Sequence, residues 1–322
     1  MMKAFVQSRA LIVFFILAVV VALISMAIRA TDPAALGEAI RAIFAANQKA
    51  DIITGIQYSL ETPVLWNAIL FPAAPTIAAF IVIAIAYGPG GLSRWFARAL
   101  PWRGVSWQRG VGVWFLALIA FFAMVGVFFI VLASSGGVAE VAPTVERFGA
   151  TPLLALGGLA LALVLSSGPL LEEMGWRGFA LPMLLTRFTP LLASVILGTL
   201  WAAWHLPREI GPLMSGADGV WTAFLFKQMN FFPGCIAASV IATFLYFKLG
   251  GSVWGGVLAH AFHNEMSVNV MRVAVPDIMI GAFPLGMLTL IEIAIAVGLI
   301  ILTRGDLGAD KDYRKEPHPF AR

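Results

Sequence analysis

Charge is scarce in this sequence: Asp, Glu, Lys and Arg make up only 12% of its 322 residues, against about 25% in soluble domains. So few charges cannot clothe a water-exposed surface. With 60% hydrophobic residues and a mean hydropathy of +0.91, the chain reads as a polytopic membrane protein. Cysteine is nearly absent as well. The single Cys235 excludes an internal disulfide framework and a thiolate zinc cluster, and a small buried hydrophobe is its expected role. There is no zincin H-E-x-x-H, no serine in a nucleophile-elbow context and no serine–lysine pairing. No period of 20 to 50 residues repeats and no low-complexity linker divides the chain. The net charge of +4 is spread among short loops rather than gathered into a stripe, which argues against a nucleic-acid partner.

What is present are long apolar runs, each about the 20 residues that cross a bilayer as a helix. They predict an all-α membrane bundle of about eight transmembrane helices with a polar intramembrane site. The expected spans are Leu11 to Ile28, Pro63 to Tyr87, Val111 to Ala133, a fourth from Thr151 to about Arg187, Pro190 to His205, Phe231 to Phe247, Ser252 to about Arg272, and Ile280 to Thr303. Between the first two, Arg29 to Thr62 is amphipathic through Ile40, Ile43 and Phe44 and is expected to lie on the surface as short helices. The loop Arg208 to Asn230 is partly amphipathic, and the tail Arg304 to Arg322 is polar and expected to be mobile. One integrated membrane domain is the economical reading, with residues 1–150 and 273–322 flanking a motif-bearing core at 151–272.

Gly88 to Gly110 carries Arg94, Arg98, Arg103 and Arg109 without an acid, together with Trp95, Trp102 and Trp107 at the expected interface. With eight spans, seven of the 21 Lys and Arg (Arg29, Arg41, Lys49, Arg147, Arg208, Lys227 and Arg272) fall on one side and the other fourteen on the side of Lys3. The positive-inside rule then puts both ends of the chain in the cytoplasm.

The informative stretch is Leu171-Glu172-Glu173-Met174-Gly175-Trp176-Arg177, two carboxylates and a guanidinium inside apolar sequence. A charge at the bilayer centre costs about 2.5–3.5 kcal/mol on insertion scales, so each requires a partner. Glu173 and Arg177 are four apart with the acid first, the favourable order for a helical ion pair. Glu172 points about 100° away and is left unpaired, as a general base or metal ligand must be. A purely structural salt-bridge network is the bland alternative. Three of the four histidines, His205, His260 and His263, lie downstream in expected spans; each alone would be read as a packing residue. Trp201 shares a helical face with His205, as His260 does with Asn264. Glu265 is expected near the bundle periphery or paired outside the site. Glu172, His205, His260 and Asn264 together supply what water-mediated peptide cleavage needs: a base, imidazoles for water or a metal, and an amide donor for an oxyanion. The expected span limits, however, place His205 at the outer end of its helix and Glu172 toward the inner end of the preceding one.

Glu172-Glu173-x-x-x-Arg177, Trp201-x-x-x-His205 and His260-x-x-x-Asn264, in that order, resemble the three motifs of the type II CAAX prenyl protease family, including its bacterial CPBP or Abi branch of lysostaphin-resistance-protein-like intramembrane proteases. The resemblance covers about Leu154 to Val270, and Trp201 stands where the family pattern usually has Phe. It implies an eight-helix intramembrane endopeptidase of a bacterial cytoplasmic membrane. Glu172 and His205 would activate water, His260 and Asn264 would stabilise the oxyanion, and Glu173 with Arg177 and Trp201 would shape the site. A divalent metal, zinc first, held by Glu172, His205 and His260 is the alternative to glutamate-activated water, and the resemblance leaves the two open. The implied partner is a membrane-associated peptide or protein cut within the bilayer or at its cytoplasmic face. A non-catalytic scaffold or bacteriocin-immunity-type factor holding a partner peptide is the rival from another class.

Overall fold

The computed structural model describes residues 2–45, 51–134, 151–265, 282–310, 313 and 318–320. The expected loop beyond Ser134, the last third of the seventh span and part of the tail lie outside them. The described residues form helices and no strand: α1 Met2–Ser8, α2 Ala10–Arg29, α3 Pro33–Ala45, α4 Ile52–Glu61, α5 Trp66–Phe96, α6 Trp107–Ser134, α7 Pro152–Leu165, α8 Ser167–Gly175, α9 Leu181–Leu185, α10 Pro190–Trp204, α11 Ile210–Met214, α12 Val220–Lys248, α13 Trp254–Asn264 and α14 Ala282–Thr303. Among the described residues five stretches are long and apolar enough to cross a membrane, Ala10–Arg29, Pro63–Ala99, Trp107–Ile130, Pro190–Met214 and Val220–Lys248, with Leu288–Thr303 a shorter apolar helix.

Why the helices pack where they do follows from their small residues. Lipid is as apolar as a leucine, so helices in a membrane associate through close packing rather than through the hydrophobic effect. On α2 the buried positions are Ala10, Phe14, Ala18, Ala22 and Ser25, one stripe at helical spacing, while Ile12, Ile16, Val20, Leu23 and Ile24 are exposed. That stripe meets Ala74, Ala78, Val82 and Ala86 of α5 in the main core. Ser25 Oγ donates to the Asn67 carbonyl at 3.1 Å, and Gln7 Nε2 donates to the Ala86 carbonyl at 2.7 Å. These two bonds fix the antiparallel register of α2 on α5.

The fourth expected span is not one helix. It breaks at Ser166, whose φ of −56° and ψ of 121° leave the helical region. The physical cause lies in Ser166-Ser167-Gly168-Pro169: serine and glycine form helix poorly, and proline, which lacks the N–H, suits the first turn of a new helix, where Pro169 stands. The backbone of Ser166 instead forms an isolated antiparallel bridge with Asp51, the N-cap of α4. From Ser167 the chain continues as α8, a π-helical turn over Trp176–Ala180 and α9. Glu172 therefore stands in the second turn of a new helix, not near the far end of a long one. This correction removes the conflict between Glu172 and His205, because α8 descends from the end of the bundle at which α10 finishes. The crossing of α8 with α5 is close: a Cβ on Gly175 would lie 2.4 Å from the Pro75 carbonyl carbon, so only glycine fits there. Thr76 Oγ1 donates to the Leu171 carbonyl and locks that crossing.

Two further expectations change. The sixth expected span begins at Val220 rather than Phe231, absorbing about half of the amphipathic loop. The tail is not wholly free, since Phe320 is fully buried, stacked on Phe179 at 5.4 Å, with its carbonyl taking a bond from Arg94.

Candidate active site

Glu172, at 4% exposure, is not unpaired as its helical angle suggested. Its Oε2 accepts from Trp201 Nε1 at 2.8 Å and from Trp176 Nε1 at 3.3 Å. Indole nitrogens only donate. They hold the carboxylate in place without neutralising it or removing its capacity to take a proton.

Glu173 forms the expected pair with Arg177, Oε1 to Nη1 at 2.8 Å, both side chains fully buried. The same Oε1 meets His260 Nδ1 at 3.0 Å. Among the described residues Glu173 Oε2 and Arg177 Nε and Nη2 have no hydrogen-bond partner, and the guanidinium lies 5.0 Å from the centre of the Trp201 ring. The second acid thus serves as the orienting partner of an imidazole rather than as a second base. The arrangement depends on Gly256 of α13, where a Cβ would fall 2.1 Å from Glu173 Oε2.

Both histidines of the motifs are held through Nδ1. His205 Nδ1 lies 2.9 Å from the Trp201 carbonyl, which can only accept, so Nδ1 carries the hydrogen and the neutral ring keeps its lone pair on Nε2. The ring is packed against Trp204 at 4.6 Å and Phe231 at 5.0 Å. His260 likewise keeps Nε2 free of Glu173, and its ring meets Trp201 edge to face at 4.7 Å.

Where these groups converge is marked by Gly168, the second residue of α8. A Cβ built there would lie 3.1 Å from Asn264 Nδ2, 3.6 Å from Glu172 Oε1 and 3.7 Å from His260 Nε2. Three of the four expected catalytic side chains therefore surround one small volume, kept open by a missing methyl group. His205 lines the same cavity of about 610 Å³, so the structure brings all four to one place. Among the described residues, however, no three His, Cys, Asp or Glu side chains come together to hold a metal ion.

The cavity also holds groups that the sequence reading misplaced or missed. Glu265 lines it and is 4% exposed, not peripheral. His263, by itself an expected packing residue, bonds through Nδ1 to Glu292 Oε1 at 2.9 Å, a second, part-buried imidazole–carboxylate pair. Glu292 had a signal in the sequence: it is the single charge between Ile280 and Thr303. Arg208, just beyond His205, places its guanidinium 4.8 Å over Phe71 at the cavity wall. Only the fold could reveal that position.

Residues 151–266 match the family model described as Type II CAAX prenyl endopeptidase Rce1-like. The chain is also similar to "CAAX prenyl protease 2" of Methanococcus maripaludis, 30% identical over 104 residues. That alignment covers 32% of this chain and 37% of the relative, so the chain spans little more than a third of that protein's length.

Proposed function

We propose that this chain, whose residues 151–266 belong to the type II CAAX prenyl endopeptidase family, is an integral membrane endopeptidase that hydrolyses a peptide bond of a membrane-associated protein or peptide. The observation that carries the reading is the convergence of Glu172, His260 and Asn264 on the space beside Gly168. Glu172 takes a proton from a water molecule as the water oxygen bonds to the substrate carbonyl carbon. His205 Nε2 accepts the other hydrogen of that water and orients it. The carbonyl oxygen gains negative charge and is met by the amide of Asn264 and, when the ring is protonated against Glu173, by His260 Nε2–H. Glu172 then passes its proton to the amide nitrogen as the carbon–nitrogen bond breaks, returning to carboxylate. Low dielectric and the absence of competing solvent make each of these contacts stronger than it would be in water.

The membrane is a bacterial cytoplasmic membrane in this reading, with the Lys3 end of the bundle on the cytoplasmic side. Zinc held by Glu172, His205 and His260 is the second reading of the mechanism. Its support is His260 itself, whose Nδ1 rests on a carboxylate as those of metal-bound imidazoles do. No step above is routed through a metal. Metal analysis of purified protein decides between the two: near-stoichiometric zinc that is lost in His205→Ala and His260→Ala establishes the metal, and active protein without it leaves Glu172 and His205.

Glu172→Gln tests the function. Glutamine keeps an acceptor oxygen for Trp201 Nε1, so the fold is retained, while loss of the base lowers cleavage of a membrane reporter by about 10²–10⁴-fold. Undiminished cleavage by the folded variant refutes the role of Glu172. A biological phenotype fully rescued by that variant favours the non-catalytic scaffold or immunity-type factor.

A further inference from the structure

We propose that the cavity opens on the non-cytoplasmic face of the membrane and admits extended apolar segments of proteins displayed on that face. The choice of substrate rests on the endopeptidase reading; the choice of face does not.

The two ends of the bundle are defined by contacts. Gln7 bonds to Ala86, Arg94 to Phe320, and Arg103 N to the Leu249 carbonyl at 3.0 Å, so residues 3–9, 86–109, 248–251, 304–310 and 318–320 share one end. Ser25 bonds to Asn67, Asp51 bridges Ser166, and Lys227 pairs with Glu209 at 2.6 Å, which gathers residues 25–45, 51–67, 166 and 205–227 at the other. Every residue that lines the cavity comes from the second end or from the middle of the bundle. Of the residues lining it, Arg29, Ile40 and Arg208 are exposed, whereas Glu172 and His260 are buried.

The basic residues are divided unequally between these ends. The first carries Lys3, Arg9, Arg94, Arg98, Arg103, Arg109, Arg187, Lys248 and Arg304, and its short connection between α5 and α6 contains no acid. The second carries Arg29, Arg41, Arg208 and Lys227 among the described residues, interspersed with Asp32, Glu38, Asp51, Glu61, Glu209 and Asp218. Short loops rich in Lys and Arg stay in the cytoplasm. The first end is therefore cytoplasmic in this proposal, and the cavity faces away from it.

Depth and lining give the form of the substrate. Leu171, beside Glu172, bonds to Thr76, ten residues inside α5, or about 15 Å from its start at 1.5 Å per residue. A polypeptide reaching that depth needs about five extended residues at roughly 3.3 Å each. The path is walled by Leu36, Ile40 and Ile43 of α3 and by Ile69 and Phe71 of α5, so those residues are apolar. An unfolded apolar stretch next to a membrane anchor, on the outer side, meets both conditions.

The face is tested by labelling two single-cysteine proteins in a Cys235→Ala background with a membrane-impermeant maleimide. Asp218→Cys marks the cavity end and Gln108→Cys the opposite end; both positions are exposed. In right-side-out vesicles only Asp218→Cys is expected to react, and in inside-out vesicles only Gln108→Cys; the reverse pattern overturns the proposal. Two single-span reporters carrying the same extended apolar segment, one displaying it outside and one in the cytoplasm, test the substrate. Cleavage of the outward reporter alone, abolished by Glu172→Gln, supports it, and cleavage of the cytoplasmic reporter overturns it. Correct labelling with neither reporter cut leaves the face established and refutes the endopeptidase reading instead.

Discussion

Replacing Gly168 with alanine adds one methyl group at the point where the site must hold water or a substrate carbonyl. The backbone there tolerates it, since Gly168 is the second residue of α8 and has no positive φ, and alanine in a helix is favoured over glycine by up to about 1 kcal/mol. The nearest atoms to the new methyl are polar and belong to three different side chains, Asn264 Nδ2 at 3.1 Å, Glu172 Oε1 at 3.6 Å and His260 Nε2 at 3.7 Å. Asn264 must give by a few tenths of an ångström. The larger consequence is exclusion: an oxygen bonded to these groups has to sit at about 2.7–3.2 Å from each, in the volume the methyl takes. A displacement of about 1 Å at a reacting centre costs on the order of 10²-fold in rate, which is about 2.7 kcal/mol of barrier. Gly168→Ala should therefore melt at or slightly above the wild-type temperature and lose about 10²-fold in turnover of a membrane reporter. Gly112→Ala, whose methyl meets nothing within 4 Å, is the control and should keep full activity. A Gly168→Ala protein that is folded and turns over substrate within about twofold of wild type refutes the convergence on which the mechanism stands.

Other substitutions probe the supports of the site. Trp201→Phe keeps an aromatic ring but removes the 2.8 Å donor to Glu172; hydrogen bonds to charged groups contribute about 1.5–3 kcal/mol, so a lowered melting temperature and reduced turnover are expected, and an unchanged protein would show that Trp176 suffices. Gly256→Ala drives a methyl into Glu173 Oε2; overpacking costs about 1–3 kcal/mol and a broken buried pair about 3–5 kcal/mol, read as loss of thermal stability. His318, in the docked tail, accepts from Phe320 N–H at Nδ1, and burial, then Arg94, hold its pKa below the ordinary 6.5. The docked state thus disfavours protonation; docking is complete above the ordinary value and weakens as pH falls below it, giving faster proteolysis of the tail in acid. His318→Asn, which keeps an acceptor, should abolish that pH dependence.

Much of the bundle was legible in the sequence because lipid demands long apolar runs, and α2, α5, α6, α10 and α14 coincide with expected spans to within a few residues at most of their ends. The Glu173–Arg177 pair was legible for a similar reason, as an i, i+4 spacing within one helix carries its own geometry. The break at Ser166 was written in Ser-Ser-Gly-Pro yet easily read as the interior of a span, because the residues before it are continuously apolar. Of the two partners of Glu172, Trp176 has that same i, i+4 spacing, whereas Trp201 was not legible, since it lies 29 residues away on another helix.

Composition and periodicity by themselves determined that this chain is a helical membrane bundle, that a few polar and charged residues interrupt its apolar runs, and that its basic residues are unevenly shared between two faces. Those are properties of local sequence and of the solvent around it. Tertiary structure alone decided that Glu172 is held by two indoles, that Glu173 orients His260, that His263 has Glu292, and that the cavity opens at the end away from Lys3 and Arg9. Each of these is a contact between helices, set by which small residues permit close crossing and where a helix breaks.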